Sequence, residues 1–99
     1  MKLKLTPRAL RRIKIVDAWW RENRPSAPNL FADELGWAMR ELLSRPELAP
    51  RYETASGKVF RRLLLPTSAQ HVYYTVHRDK DLVIVHTVWG ARRGRGPKL

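Results

Sequence analysis

The feature that most restricts what this chain can fold into is a change of hydrophobic period near residue 58. Before it, apolar residues recur at intervals of three and four; after it, β-branched and aromatic residues gather in short runs. In the first part Ala9, Leu10, Ile13, Val16 and Trp20 share one helical face, which predicts a helix from Pro7 to about Asn23. Thr6 is placed to cap that helix, and Pro7 suits its first position. Asn23-Arg24-Pro25-Ser26 breaks the pattern. Ser26 can then cap a second helix carrying Phe31, Leu35, Ala38, Met39, Leu42 and Leu43, which Pro46 stops. Residues 46–57 hold two prolines and a glycine without periodicity and read as a loop.

From there residues 58–65, 71–77 and 82–89 read as three strands of an antiparallel meander, parted by Pro66-Thr67-Ser68 and Arg78-Asp79-Lys80-Asp81. Residues 2–5 alternate as a short strand does. The order β-α-α-β-β-β predicts one α+β domain over residues 1–99, a two-helix hairpin packed on one face of a mainly antiparallel sheet. The opposite sheet face is expected to be free. Residues 90–99 carry four cations and no acid, and with three glycines are expected to be too flexible to pack, leaving 94–99 a mobile basic tail.

Charge narrows the partners. Lys and Arg number 20 against 9 Asp and Glu, a net charge of +11. Residues 58–99 hold 9 basic and 2 acidic side chains and so carry most of the excess. Such a field calls for an acidic protein, nucleic acid or an anionic surface. Cysteine is absent, which removes disulfides and thiolate metal sites, and three dispersed histidines without paired carboxylates argue against any metal. No cofactor motif is present. The basic start lacks an apolar run of signal-peptide length, and no stretch of about 18 apolar residues occurs, so a cytoplasmic protein without membrane contact is expected.

At this point the strands become recognisable. Val59-Phe60-Arg61-Arg62-Leu63-Leu64-Leu65-Pro66 followed by His71-Val72-Tyr73-Tyr74-Thr75-Val76 resembles the paired central strands of RelE/ParE toxins. The segment from Asp81 through Val88-Trp89-Gly90-Ala91-Arg92-Arg93 is similar to that family's last strand running into a glycine and arginine turn. The resemblance spans essentially the whole chain, including the Asn23-Arg24-Pro25 turn and Glu34-Leu35. It implies a RelE/ParE-like fold and the toxin of a type II toxin-antitoxin pair. Such a toxin inhibits growth, and a cognate acidic antitoxin neutralises it in a hetero-oligomer. Its target would be either DNA gyrase, as for ParE, or ribosome-bound messenger RNA cut by an endonuclease, as for RelE.

Metal-independent RNA cleavage would need a base, cations around the phosphate and an acid. The resemblance supplies Arg61 or Arg62 and, after the last strand, Arg92 and Arg93 as the phosphate-holding cations; a base would have to be recruited from within the sheet, from His86 or from Tyr73 and Tyr74 on the neighbouring strand. Ribonuclease members commonly place Tyr or His just after the last strand, where this chain has Trp89, Gly90 and Ala91. That departure favours the ParE-like, non-catalytic reading, with Arg61, Arg92, Arg93 and Arg95 contacting the target. Alternation sends Arg61 and Arg62 to opposite faces, and the sequence leaves open which one is on the free side. His86 in a strand is ordinarily a packed side chain, and His71 and His77 read as surface residues near strand ends. A second apolar set, Ile15 and Trp19 on the first helix and Leu30 and Trp37 on the second, either packs between the helices or anchors an antitoxin segment. A plain nucleic-acid-binding module is a third class, for which no recognition motif is present.

Overall fold

A computed structural model describes residues 1–99. It contains β1 (Lys2–Leu5), α1 (Pro7–Asn23), α2 (Leu30–Ser44), β2 (Arg51–Glu53), β3 (Val59–Leu65), β4 (Gln70–His77), a single 3-10 turn (Arg78–Lys80) and β5 (Leu82–Gly90). The architecture is α+β, with five strands in the order β1-β5-β4-β3-β2. β1 runs parallel to β5, and the other neighbours pair antiparallel.

α1 starts where its cap predicts. The Thr6 hydroxyl accepts from the Ala9 amide at 3.0 Å and donates to the His86 carbonyl at 2.9 Å, so one side chain both starts the helix and ties it to β5. α1 and α2 bury Ala9, Val16, Phe31, Leu35, Ala38 and Leu42 against Leu65, Val72, Tyr74, Val83, Val85 and Val88 of the sheet. Each such side chain contributes roughly 1.5 to 3 kcal/mol of transfer free energy when large and fully buried.

Four expectations are corrected. Leu10 is exposed, because it lies about 100° round the helix from Ala9, on the solvent edge of the buried stripe. α2 begins at Leu30 rather than after Ser26, since Pro25 and Pro28 hold the connection in turns and Asn29 takes the cap position without a side-chain bond. The loop 46–57 contains β2, a three-residue edge strand held only by its partner: Arg51 to Glu53 face Arg61 to Val59 across a hairpin that Gly57 turns at φ +88°. The sheet face away from the helices is not free: residues 94–99 lie across it, with Pro97 buried.

β5 also breaks strict alternation. Tyr73 pairs with Thr87 and Tyr74 with Val85, leaving His86 as the extra residue of a bulge. The bulge lets Val85 and Val88 both face the helices.

The β3–β4 turn is clamped by α2. The Glu34 carboxylate accepts from the amides of Thr67 and Ser68, each at 2.9 Å, and from the Ser68 hydroxyl. Desolvation raises its pKa, but these donors outweigh it and hold the carboxylate below its ordinary value. A lowered folded pKa gives stability that is full above the unfolded value and is lost as pH falls through the folded one. Glu34→Gln is expected to cost about 1 to 2 kcal/mol at neutral pH. The deficit should narrow as pH drops below the ordinary glutamate value of about 4.3. Parallel melts of both proteins across that range check it; a constant gap would exclude the carboxylate's charge as the cause.

Candidate functional site: two arginine-lined clefts

The first cleft lies where the C-terminal half of α1 meets the ends of β4 and β5. It encloses about 640 Å³ and is lined by Arg12, Ile15, Val16, Trp19, Trp20, Arg24, Thr67, Ser68, Ala69, Gln70, Gly90, Arg92 and Arg93. Four guanidiniums and no carboxylate line it. Arg93 stacks on the Trp89 ring at 4.1 Å with Arg12 over the same ring at 5.2 Å, while Arg24 stands 5.2 Å over Trp19. Burial, then Arg93 and Arg8, lower the Arg12 pKa, the mark of cations crowded without an acid. Arg12 Nε and Gln70 Oε1 are buried at its wall without a hydrogen-bond partner.

The helical second apolar set is divided by the fold. Ile15 and Trp19 line this cleft and are 56% and 46% exposed. Trp37 is also 46% exposed on α2, and Leu30 is half-buried at the start of that helix. The exposed members therefore do not pack between the helices.

The second cleft, about 150 Å³, is on the other sheet face. Tyr52, Arg62, His71, Tyr73 and Trp89 line it, together with residues of the segment that follows β5. Arg62 stands 4.7 Å over Tyr52, and Tyr52 and His71 each meet Tyr73 edge-on. Burial first, then Arg62, lowers the His71 pKa, which favours the neutral imidazole. His71 is the residue that sequence reasoning passed over; its signal was the alternation that puts it on one face with Tyr73, Thr75 and His77.

Of the catalytic candidates, Arg92 and Arg93 meet in the first cleft and Arg62 and Arg93 in the second, while Arg61 and His86 stand apart from both. Arg61 is on the helix-side face, where its guanidinium donates to the Ala49 carbonyl at 2.8 Å; Arg62 is the one on the opposite face. The alternation question is thereby answered, and Arg61, expected at the target surface, instead holds a loop. His86 is half-buried, 2.8 Å from the Thr75 hydroxyl that also meets His77, and edge-on to Phe60. Burial, then His77 and Arg8, lowers its pKa. Arg92 belongs to the first cleft, Arg95 to the second, and Arg93 lines both. No group of three His, Asp or Glu side chains is arranged to hold a metal ion, and no helix is long and apolar enough to cross a membrane. No protein-family model matches the chain, and no curated protein matches it.

Proposed function

We propose that this protein is a growth-inhibitory toxin of the RelE/ParE kind that acts by binding its target, ParE-like, with DNA gyrase as that target. The observation that carries the reading is the first cleft: four uncompensated arginines beside exposed Ile15 and Trp19, two of them, Arg92 and Arg93, in the turn after the last strand that the resemblance makes functional. A surface of this kind suits an acidic chain with apolar anchors, the chemistry of an antitoxin segment that folds on binding. Arg62, Arg92 and Arg93 line the two clefts, but Arg61 holds the Ala49 carbonyl and His86, the candidate base, lies outside both, which supports inhibition without cleavage.

The experiment is to induce the chain in a bacterium with and without a small acidic partner encoded beside it. Growth arrest with DNA-damage signalling, relieved by the partner, is expected; unimpaired growth at high expression would sink the reading. One observation favours a second reading, a RelE-like ribosome-dependent messenger-RNA endonuclease: His71, its pKa lowered by burial and Arg62, shares a cleft with Arg62 and Tyr73. Cleaved messenger RNA without DNA-damage signalling would select it.

Trp19→Ala should weaken the antitoxin complex more than it destabilises the free chain. Truncating a fully buried Trp costs roughly 3 to 5 kcal/mol, and a ring half in solvent costs about half of that. Melts beside binding titrations decide; a large melting loss at unchanged affinity would assign the ring to stability alone.

A further inference from the structure

The ladder between β3 and β4 stops short of both strands. Its last pair sets Arg61 opposite Tyr74, yet β3 reaches back to Val59, still paired there with β2, and β4 runs on to His77, still paired there with β5. Val59 and Val76 are the couple that the register would bring together next, and they are not paired. The Arg62 amide donates to the Pro50 carbonyl on the β2 side. By antiparallel alternation the N–H and C=O groups of Val59 therefore point the other way, into the gap, and those of Val76 point back at them.

The gap is a cavity of about 370 Å³, and Arg51, Arg61 and Arg78 line it against one carboxylate, Glu47. That carboxylate is already held: Arg78 donates to its Oε1 from Nε at 3.0 Å and from Nη2 at 2.6 Å. Arg51 and Arg61 stand directly opposite each other in the β2–β3 register, an arrangement that destabilises a sheet when the charges are alike. None of the protein's ion pairs includes either of them. Arg61 gives one N–H to the Ala49 carbonyl. Beside them Val59 is 43% exposed, an apolar wall without a cover.

We infer that this gap binds the free carboxyl end of an extended peptide. The terminal carboxylate lies between Arg51 and Arg61 and replaces their repulsion with charge-assisted bonds. The last peptide units pair with the backbone of Val59 and Val76 as an added strand does, and the last side chain rests on Val59. A phosphate ion would meet the guanidiniums but leave the backbone carbonyls without a donor. Water would serve the backbone but leave the two arginines opposed. The site is separate from the first cleft, since β4 starts at that cleft with Gln70 and ends at this gap with His77. It stands whether or not the chain arrests growth.

The test titrates the full chain with an N-terminally labelled tetrapeptide of serine and valine that ends in a free carboxylate, beside the same peptide ending in an amide. The acid should bind roughly tenfold to a hundredfold tighter, the factor that one charge-assisted bond represents. Arg51→Ala should weaken the acid by a similar factor while the melt stays at or above the parent's, because the opposed charge is gone. Arg11→Ala, which removes an exposed charge from α1, should leave the affinity nearly unchanged. Amide exchange at Val59 and Val76 should slow in the complex. The inference is overturned if neither peptide binds, if the amide binds as tightly as the acid, or if Val59 and Val76 exchange as before. Equal losses in the Arg51→Ala and Arg11→Ala variants would also overturn it, assigning the binding to net charge. So would displacement of the peptide by inorganic phosphate at equal concentration, which would make the gap an anion site with no use for the backbone.

Discussion

Tyr74→Phe is expected to lower the melting temperature by about 10 to 20 °C. Tyr74 is fully buried, and its hydroxyl donates to the Pro46 carbonyl at 2.9 Å while accepting from the Ala49 amide at 3.3 Å. Phenylalanine keeps the ring and removes both bonds, leaving two backbone groups unpaired in the core at about 1 to 3 kcal/mol each. A domain of this length shifts by roughly 4 to 8 °C per kcal/mol. Burial pushes the phenol pKa up, so the hydroxyl keeps its proton across the ordinary pH range. Arg61 holds the carbonyl of the same Ala49, so two sheet side chains join the Arg78–Glu47 ion pair and the Arg62 amide in fastening the segment from Pro46 to Pro50. Calorimetry checks the loss, and a melt within a degree or two of the parent would mean that water replaces the hydroxyl.

Replacing Arg92 and Arg93 together by alanine is expected to abolish the growth arrest of the proposed toxin while the fold survives. Arg92 is exposed, and Arg93 stacks on Trp89 at 4.1 Å. An exposed cation–π contact contributes about 0.5 to 1 kcal/mol, so the melt should drop by only a few degrees. Charged hydrogen bonds to a target contribute roughly 1.5 to 3 kcal/mol each, and losing two costs affinity by a factor of about 100 or more. Growth assays beside thermal melts decide. Full arrest with a normal melt removes the pair from the target surface; a collapsed melt makes them structural.

What the sequence made legible was whatever local chemistry decides. Thr6-Pro7 announces α1 because cap and proline act within one turn, and the three long strands announce themselves by their β-branched runs. What it hid depends on partners distant along the chain. β2 is a strand because β3 is beside it, and three residues have no period of their own. The bulge at His86 shifts the parity of β5, so alternation counted from Val83 would misplace Val88. The course of residues 94–99 was illegible for a similar reason: glycine content speaks of the freedom of an isolated tail, whereas Gly96 is suited to its place by its closeness to Tyr52. Of the two clefts, the arginines and Trp19 could be read as a surface. His71 could not be separated from other strand histidines without the burial that lowers its pKa and the cleft it shares with Arg62.

The parallel pairing of β1 with β5 has a consequence for how the molecule assembles. Lys2 and Leu5 lie beside Leu82 and Val85, and the bonds from the Lys2 amide to Asp81 and from the Thr6 amide to Val85 bridge some eighty residues. Closing so long a loop carries an entropic penalty that no local hairpin shares, and parallel, non-local pairing is intrinsically slow. While the polypeptide is emerging from the ribosome, residues 2–5 have no strand to join until β5 is outside the exit tunnel. α1 is docked by the same event, since Thr6 anchors its start to His86. The first cleft, which needs α1, Gly90 and Arg93 together, therefore comes into being only with the completed sheet, and a nascent chain stopped short of β5 does not display it.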